Sequence, residues 1–177
     1  MAVKKRLPTN DEPLEPAGLE AIGLRYLDRF DASVHKLRQL LVSRARRSGH
    51  DEDRARELVA PLIERWLASG LLDDARFTDA VVHGQRQRGA SRRMIEHKLV
   101  GRGVPRPVID AALAQLGSTS ELEAAVALVR RRRLGAHRPE AVRESYRRRD
   151  LATLARAGFD FETARRALGA ETPDEEF

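Results

Sequence analysis

The sequence predicts an all-α protein built from three tandem three-helix repeats, and three observations carry that prediction. Apolar residues recur at three- and four-residue steps from Leu19 to Leu168, the spacing of one helix face. β-branched runs that would mark strands are missing. Three glycines stop helical patterns at a near-constant interval: Gly49, Gly103 and Gly158, 54 and 55 residues apart. A fixed period of that size is the signature of one supersecondary unit used repeatedly. Hydrophobic residues are 41% and charged residues 34% of the 177, a balance that fits thin apolar stripes on helices.

Residues 1–16 carry Pro8, Pro13 and Pro16 among charges and read as a disordered tail. Repeat one is expected over 17–72. Leu19, Ile22, Tyr26, Leu27 and Phe30 make its first apolar face. Val34, Leu37, Leu40 and Leu41 make the second, capped by Asp31 or Ser33 and stopped by Gly49. Asp51 caps a third helix with Leu58, Leu62, Ile63, Trp66 and Leu67 inward, closed by Gly70. Pro61 lies inside it and predicts a kink or a helix start near that residue.

Repeat two is expected over 73–117. Asp73 caps a helix with Phe77, Ala80, Val81 and Gly84 on the inner face. Ser91 caps the next, with Met94, Ile95 and Leu99 inward. Gly101-Arg102-Gly103 is a stop signal, and Pro105 restarts the chain in a first-turn position ahead of Val108, Ile109, Ala112, Leu113 and Leu116. Repeat three is expected over 118–170. Ser118 and Glu121 have capping-box spacing. Leu122, Ala125, Val126 and Val129 follow, then Tyr146, Leu151 and Leu154, then Gly158, Phe159 and a last helix with Phe161, Ala164 and Leu168. Residues 171–177 are an acidic tail.

Charge is unevenly distributed. Residues 1–84 hold 14 basic and 14 acidic side chains, residues 85–149 hold 16 and 6, and residues 150–177 hold 3 and 7. The basic middle points to an anionic partner, nucleic acid or an acidic protein surface. The candidate contacts are Arg86, Arg88, Arg92 and Arg93 around Gly89-Ala90, then Lys98 and Arg102, then Arg130, Arg131, Arg132 and Arg133, then Arg147, Arg148 and Arg149. Consecutive arginines point all around a helix, so at most two of each run share a surface. Forked guanidinium donors suit phosphate and carboxylate. Aromatics are only 5%, which argues against reading single-stranded bases by stacking.

Enzyme chemistry is poorly supported. Asp73-Asp74 sits where a helix cap is wanted, and adjacent helical residues do not face one another. The five histidines form no i, i+4 pair, so neither a metal nor another cofactor is expected. There is no cysteine, no phosphate-cradling glycine loop and no nucleophile elbow. No apolar run approaches the roughly 20 residues of a membrane span. A cytoplasmic, monomeric protein with no membrane partner is the default expectation.

Three stretches together resemble the RecX family of bacterial regulators of recombination. They are Gly70-Leu71-Leu72-Asp73-Asp74-Ala75-Arg76-Phe77, then Ser91…Ile95…Leu99…Arg102-Gly103-Val104, then Leu151…Leu154…Arg156…Gly158-Phe159. The likeness spans about residues 17–169. In it Gly70, Leu72, Asp73, Asp74, Arg76, Phe77, Gly103 and Gly158 are structural positions. The resemblance implies an elongated, curved array of three repeats. It also implies a non-enzymatic partner of RecA recombinase filaments on DNA, restraining ATPase and strand exchange in DNA repair and the SOS response. The alternative from the charges alone is a general, sequence-independent DNA-binding protein.

Overall fold

The structure is a computed structural model that describes residues 13–117 and 120–169. Among those residues there are nine α-helices and no strand. In order they are α1 (Pro16–Leu27), α2 (Val34–Arg47), α3 (Glu52–Ala68), α4 (Asp74–Gln87), α5 (Arg92–Gly101), α6 (Arg106–Ala114), α7 (Ser120–Arg132), α8 (Glu140–Arg156) and α9 (Phe161–Gly169), with a 3-10 turn at Gly135–His137. Of the expected disordered tail 1–16, residues 1–12 lie outside the described residues, while 13–16 are not a tail: Leu14 packs against the first core and α1 starts at Pro16. The expected acidic tail 171–177 and the Ser118 end of the expected capping box also lie outside the described residues. The chain divides into two compact units. One runs through Phe77 and includes Arg102–Val104; the other takes Thr78–Gly101 and continues from Pro105.

The core of the first unit gathers Leu19 from α1, Leu37 and Leu41 from α2, and Val59, Ile63 and Trp66 from α3. Each fully buried Leu or Ile contributes about 1.5–3 kcal/mol. Ser33 and Asp51 are the N-caps, their side chains accepting from Lys36 N at 3.2 Å and Arg54 N at 2.8 Å. Helix α3 does not restart at Pro61 but runs through it. Pro61 and Glu57 are both exposed, so the Glu57 carbonyl that loses its partner faces water. Phe30 and Leu67 leave the expected face and are 56% and 43% exposed. Phe30 lies beyond the end of α1, where its ring meets Tyr26 at 5.2 Å.

In the second unit, α7, α8 and α9 enclose Ala125, Leu128, Val129, Leu154 and Ala164. Helix α5 packs on α6 through buried Ile95, Leu99, Ile109 and Leu113. Three expected inward residues are corrected. Met94 is 39% exposed, one position off the buried residue Ile95, and Phe161 is 69% exposed although it lies on the Ala164 side, because it is the first residue of α9. In α4 the buried residues are Phe77, Thr78 and Val82, whereas Ala80 is exposed and Val81 half-buried. A shift of one residue turns a helix face by about 100°.

The glycine period has a structural counterpart. Ser33 caps α2 and donates its hydroxyl to Arg102 O at 2.5 Å, while Val34 N donates to Asp74 Oδ1 at 2.9 Å. Ser91 caps α5 by accepting from Met94 N at 3.1 Å and donates to Ala157 O at 2.7 Å. Arg92 N donates to Glu121 Oε1 at 2.6 Å. Each unit thus contains the same joint: a capping serine reads the carbonyl just before a helix-stop glycine, and the next N–H meets a carboxylate of a later helix. The glycines are required there. Gly103 and Gly158 have φ of +68° and +89°. A Cβ on Gly103 would sit 2.3 Å from the His35 ring, and one on Gly158 2.5 Å from Ser91 Oγ. At Gly49 a chain segment holds the corresponding place: Leu14 N donates to Ser48 Oγ at 2.9 Å, and His50 Nε2 lies 3.1 Å from Leu14 O.

Candidate functional site

The second unit carries a cationic groove of about 350 Å³ between the α4–α5 turn, α7 and the end of α8. Its charged lining is Arg88, Arg131, Arg132 and Arg156, and none of its described lining residues is acidic. Met94, Leu128 and Ala157 supply apolar floor. The close approach that forms it needs a glycine. Gly89 has φ +68°, and a Cβ there would lie 2.7 Å from both Ala124 O and Leu128 N. The turn bearing Arg88 therefore rests directly on the α7 backbone. With its oxygen toward the cations, the Gln85 amide accepts from Lys98 Nζ at 3.0 Å and Arg88 Nη1 at 3.3 Å. That links Lys98 to the groove edge.

Beside the groove, one of the candidate arginines faces inward. Arg86 leaves the set of surface candidates: its side chain is only 13% exposed and donates to Glu121 Oε1 at 2.7 Å and Ala90 O at 3.2 Å. The same Glu121 carboxylate receives the first N–H of α5. One acid on α7 thus fixes both the end of α4 and the start of α5. Arg92 and Arg93 stand exposed in the first turn of α5, which has no acidic residue of its own. Cations there oppose the helix dipole by about 0.3–1 kcal/mol each, so helix stability does not explain them.

The other candidates separate. Arg130 and Arg133 are exposed at the end of α7, and Arg133 has φ +52°. Arg147, Arg148 and Arg149 are exposed along α8. Arg147 lies 3.9 Å from Glu144, and Arg149 stands 5.6 Å over the Tyr146 ring. Arg102 belongs to the first unit. The structural motif residues are placed as structure. Asp73 caps α4, accepting from Ala75 N at 2.8 Å and Arg76 N at 3.1 Å. Asp74 serves the α2 joint, Arg76 donates to Leu71 O at 3.2 Å, Leu72 and Phe77 are buried, and Gly70 has φ +70°. Among the described residues no three His, Cys, Asp or Glu side chains form a metal cluster.

Arg156 is a groove residue the charge-run reading missed, because it is isolated in sequence and reaches the groove only through the fold. The first unit carries a second basic surface: Lys36, Arg44, Arg46 and Arg47 line a groove of about 490 Å³ on α2. Glu52 of α3 shares that lining and pairs with Arg46 at 2.7 Å.

Beside α8, a buried pair anchors the 3-10 turn. Asp150 is 1% exposed and accepts from Gly135 N at 3.0 Å and from Arg138 Nε and Nη2 at 2.8 Å each. Burial pushes its carboxyl up, but the Arg138 and Gly135 donors outweigh that and hold it below the usual value. The Arg138 guanidinium also lies 4.4 Å over the Tyr146 ring.

The fold and groove define a helical, repeat-built protein whose exposed chemistry is arginine. Residues 73–113 match the family model described as RecX, second three-helix domain. The Regulatory protein RecX of Myxococcus xanthus DK1622 is 36% identical over 171 residues, 93% of this chain and 91% of that protein. That of Halorhodospira halophila is 36% identical over 155 residues, 86% and 88% of the two chains. The crystal structure of RecX from Lactobacillus salivarius superposes with a TM-score of 0.59 at 16% identity, covering 86% of this chain and 94% of that one. A second RecX crystal structure gives 0.58 at 22% identity, covering 85% and 71%. The chain belongs to the RecX family. Its named relatives are regulatory proteins, and no described helix is long and apolar enough to cross a membrane.

Proposed function

We propose that this chain binds RecA recombinase filaments on DNA and restrains their ATPase and strand exchange, without catalysis of its own. On this reading it acts in the cytoplasm as a monomer, in DNA repair and the SOS response, through three repeats at 17–72, 73–117 and 118–170. Family membership supports the regulatory class. The observation that carries the reading is the acid-free arginine groove of the second unit, since guanidinium forks suit the phosphates of a nucleoprotein filament or its acidic side chains. A regulator of this kind shifts a filament between states only by binding one of them better.

The test is ATP hydrolysis by a preformed filament with increasing amounts of the chain. Inhibition at or below equimolar protein is expected. Arg92→Glu with Arg93→Glu, and separately Arg88→Glu with Arg131→Glu, are expected to weaken it while leaving the circular dichroism spectrum unchanged. Unchanged hydrolysis and strand exchange at equimolar protein would sink the proposal.

The groove also favours a second reading, sequence-independent binding of bare DNA. Gel shifts across salt separate the two. Tight, steeply salt-dependent binding to naked DNA supports the second; weak binding there with strong filament binding supports the first. If the groove takes single-strand phosphates, removing two contacts flattens the log–log salt slope by about 1.4.

A further inference from the structure

Helix α2 carries Lys36, Arg38, Arg44, Arg46 and Arg47 and has no carboxylate of its own. Its neighbour α3 differs, because each of its arginines is paired: Arg54 with Glu57 at 3.0 Å, Arg56 with Glu52 at 2.7 Å, and Arg65 with Glu20. Among the described residues only Arg46 of α2 meets a carboxylate, the same Glu52 that Arg56 uses. Lys36, Leu40, Arg44 and Arg47 follow at four-, four- and three-residue steps, so they share one helix face. Lys36, Arg44 and Arg47 are exposed and line the groove of about 490 Å³. At 1.5 Å per residue the face runs about 17 Å from Lys36 to Arg47, about half of one duplex turn.

Helix stability does not account for this face. The dipole favours cations in the last turn, which covers Arg44, Arg46 and Arg47. Lys36 lies in the first turn, where the dipole disfavours a cation, and Arg44 and Arg47 repel each other three residues apart. The neutral part of the lining narrows the ligand. Gln39 and Ser43 add hydrogen-bonding groups, Leu40 and Val42 add aliphatic ones, and none of the described lining residues is aromatic. Single-strand sites pair their cations with rings on which bases stack. A duplex keeps its bases stacked inside and offers phosphate outside, which a ring-free line of cations can meet without reading sequence.

We propose that the Lys36–Arg44–Arg47 face of α2 is a second polyanion site and takes the phosphodiester backbone of duplex DNA. It lies wholly in the first unit and stands whether or not the second-unit groove binds anything. Guanidinium forks at Arg44 and Arg47 suit phosphate oxygens. Each of the three cations neutralises one phosphate, so binding is sequence-independent and steeply salt-dependent.

The test is binding of a labelled duplex and of a labelled single strand by the full chain across salt concentrations. Lys36→Gln, Arg44→Gln and Arg47→Gln together are expected to flatten the log–log salt slope for the duplex by about 2.7, three phosphates at about 0.9 each. The circular dichroism spectrum is expected to stay the same. Arg131→Glu with Arg132→Glu reports on the second-unit groove in parallel. If only the groove variant weakens duplex binding, the α2 site is overturned and the groove reading survives. If only the α2 variant weakens it, the α2 site survives and the groove reading fails. A parent chain that binds no duplex, or an α2 variant that loses single-strand binding alone, overturns the proposal. Amide shifts of the parent chain on adding a short duplex give a second readout and decide the matter should the triple variant unfold. Shifts at Gln39, Leu40 and Ser43 are expected; shifts confined to residues 85–95 and 128–157 overturn the α2 site.

Discussion

Replacing Asp150 by Asn keeps the shape of the side chain and removes its charge. The carboxylate takes three donors, Gly135 N and two nitrogens of Arg138, at 2.8–3.0 Å while 1% exposed. An amide oxygen accepts from only some of them and turns an NH2 toward a guanidinium. Removing one member of a buried pair costs about 3–5 kcal/mol. Arg138 is 22% exposed and keeps its contact with Tyr146, so partial rehydration places the expected loss at the low end, about 3 kcal/mol. For a chain of this size that lowers Tm by about 6–12 °C. The assay is urea and thermal unfolding at pH 7, with Arg138→Met in both backgrounds. Arg138→Met is expected to cost little once Asp150 is Asn. The carboxyl titrates below its ordinary value when folded, so its contribution is complete above the unfolded-state value of about 3.9 and is lost as pH falls through the folded one. The gap between parent and Asp150→Asn should therefore close in acid. A loss under about 1 kcal/mol at pH 7, or a gap that widens in acid, would refute the reasoning.

Glu121→Ala removes the partner of Arg86 and the acceptor for the first N–H of α5, so a loss of about 2–4 kcal/mol is expected by urea unfolding. Its effect on the groove is read from hydrogen exchange in residues 85–95, which should quicken. Gly23→Ala places a Cβ 2.3 Å from Trp66 Cη2, a ring 3% exposed in the first core. It is expected to cost about 1–3 kcal/mol by overpacking and to change Trp66 fluorescence, the only tryptophan signal the chain has. An unshifted spectrum and unchanged stability would show that α1 yields freely.

Helix identity was legible because it rests on local rules. The caps Ser33, Asp51, Asp73 and Ser91 and the stops Gly49, Gly70, Gly103 and Gly158 follow from backbone donors and positive φ, which a sequence states directly. Face assignments failed where a single residue of phase mattered, at Ala80 and Met94, and at Phe161, which keeps the phase of buried Ala164 but opens its helix and stays exposed. The candidate site was half legible. Runs of arginine pointed to α4–α5 and α7, yet Arg86 turned inward to an acid 35 positions away and Arg156 joined the groove from α8. Ion-pair partners set by tertiary packing leave no local mark on a sequence.

The serine joint also distinguishes the heads of the helices. A hydroxyl at the head of α2 and of α5 is the plug, and the carbonyl before a glycine is the socket. Helix α8 begins after Pro139, which has no hydroxyl and makes no side-chain cap bond. One oxygen atom, present at Ser33 and Ser91 and absent at Pro139, therefore separates two helices whose first turn is plugged into a distant stretch of chain from one that is not.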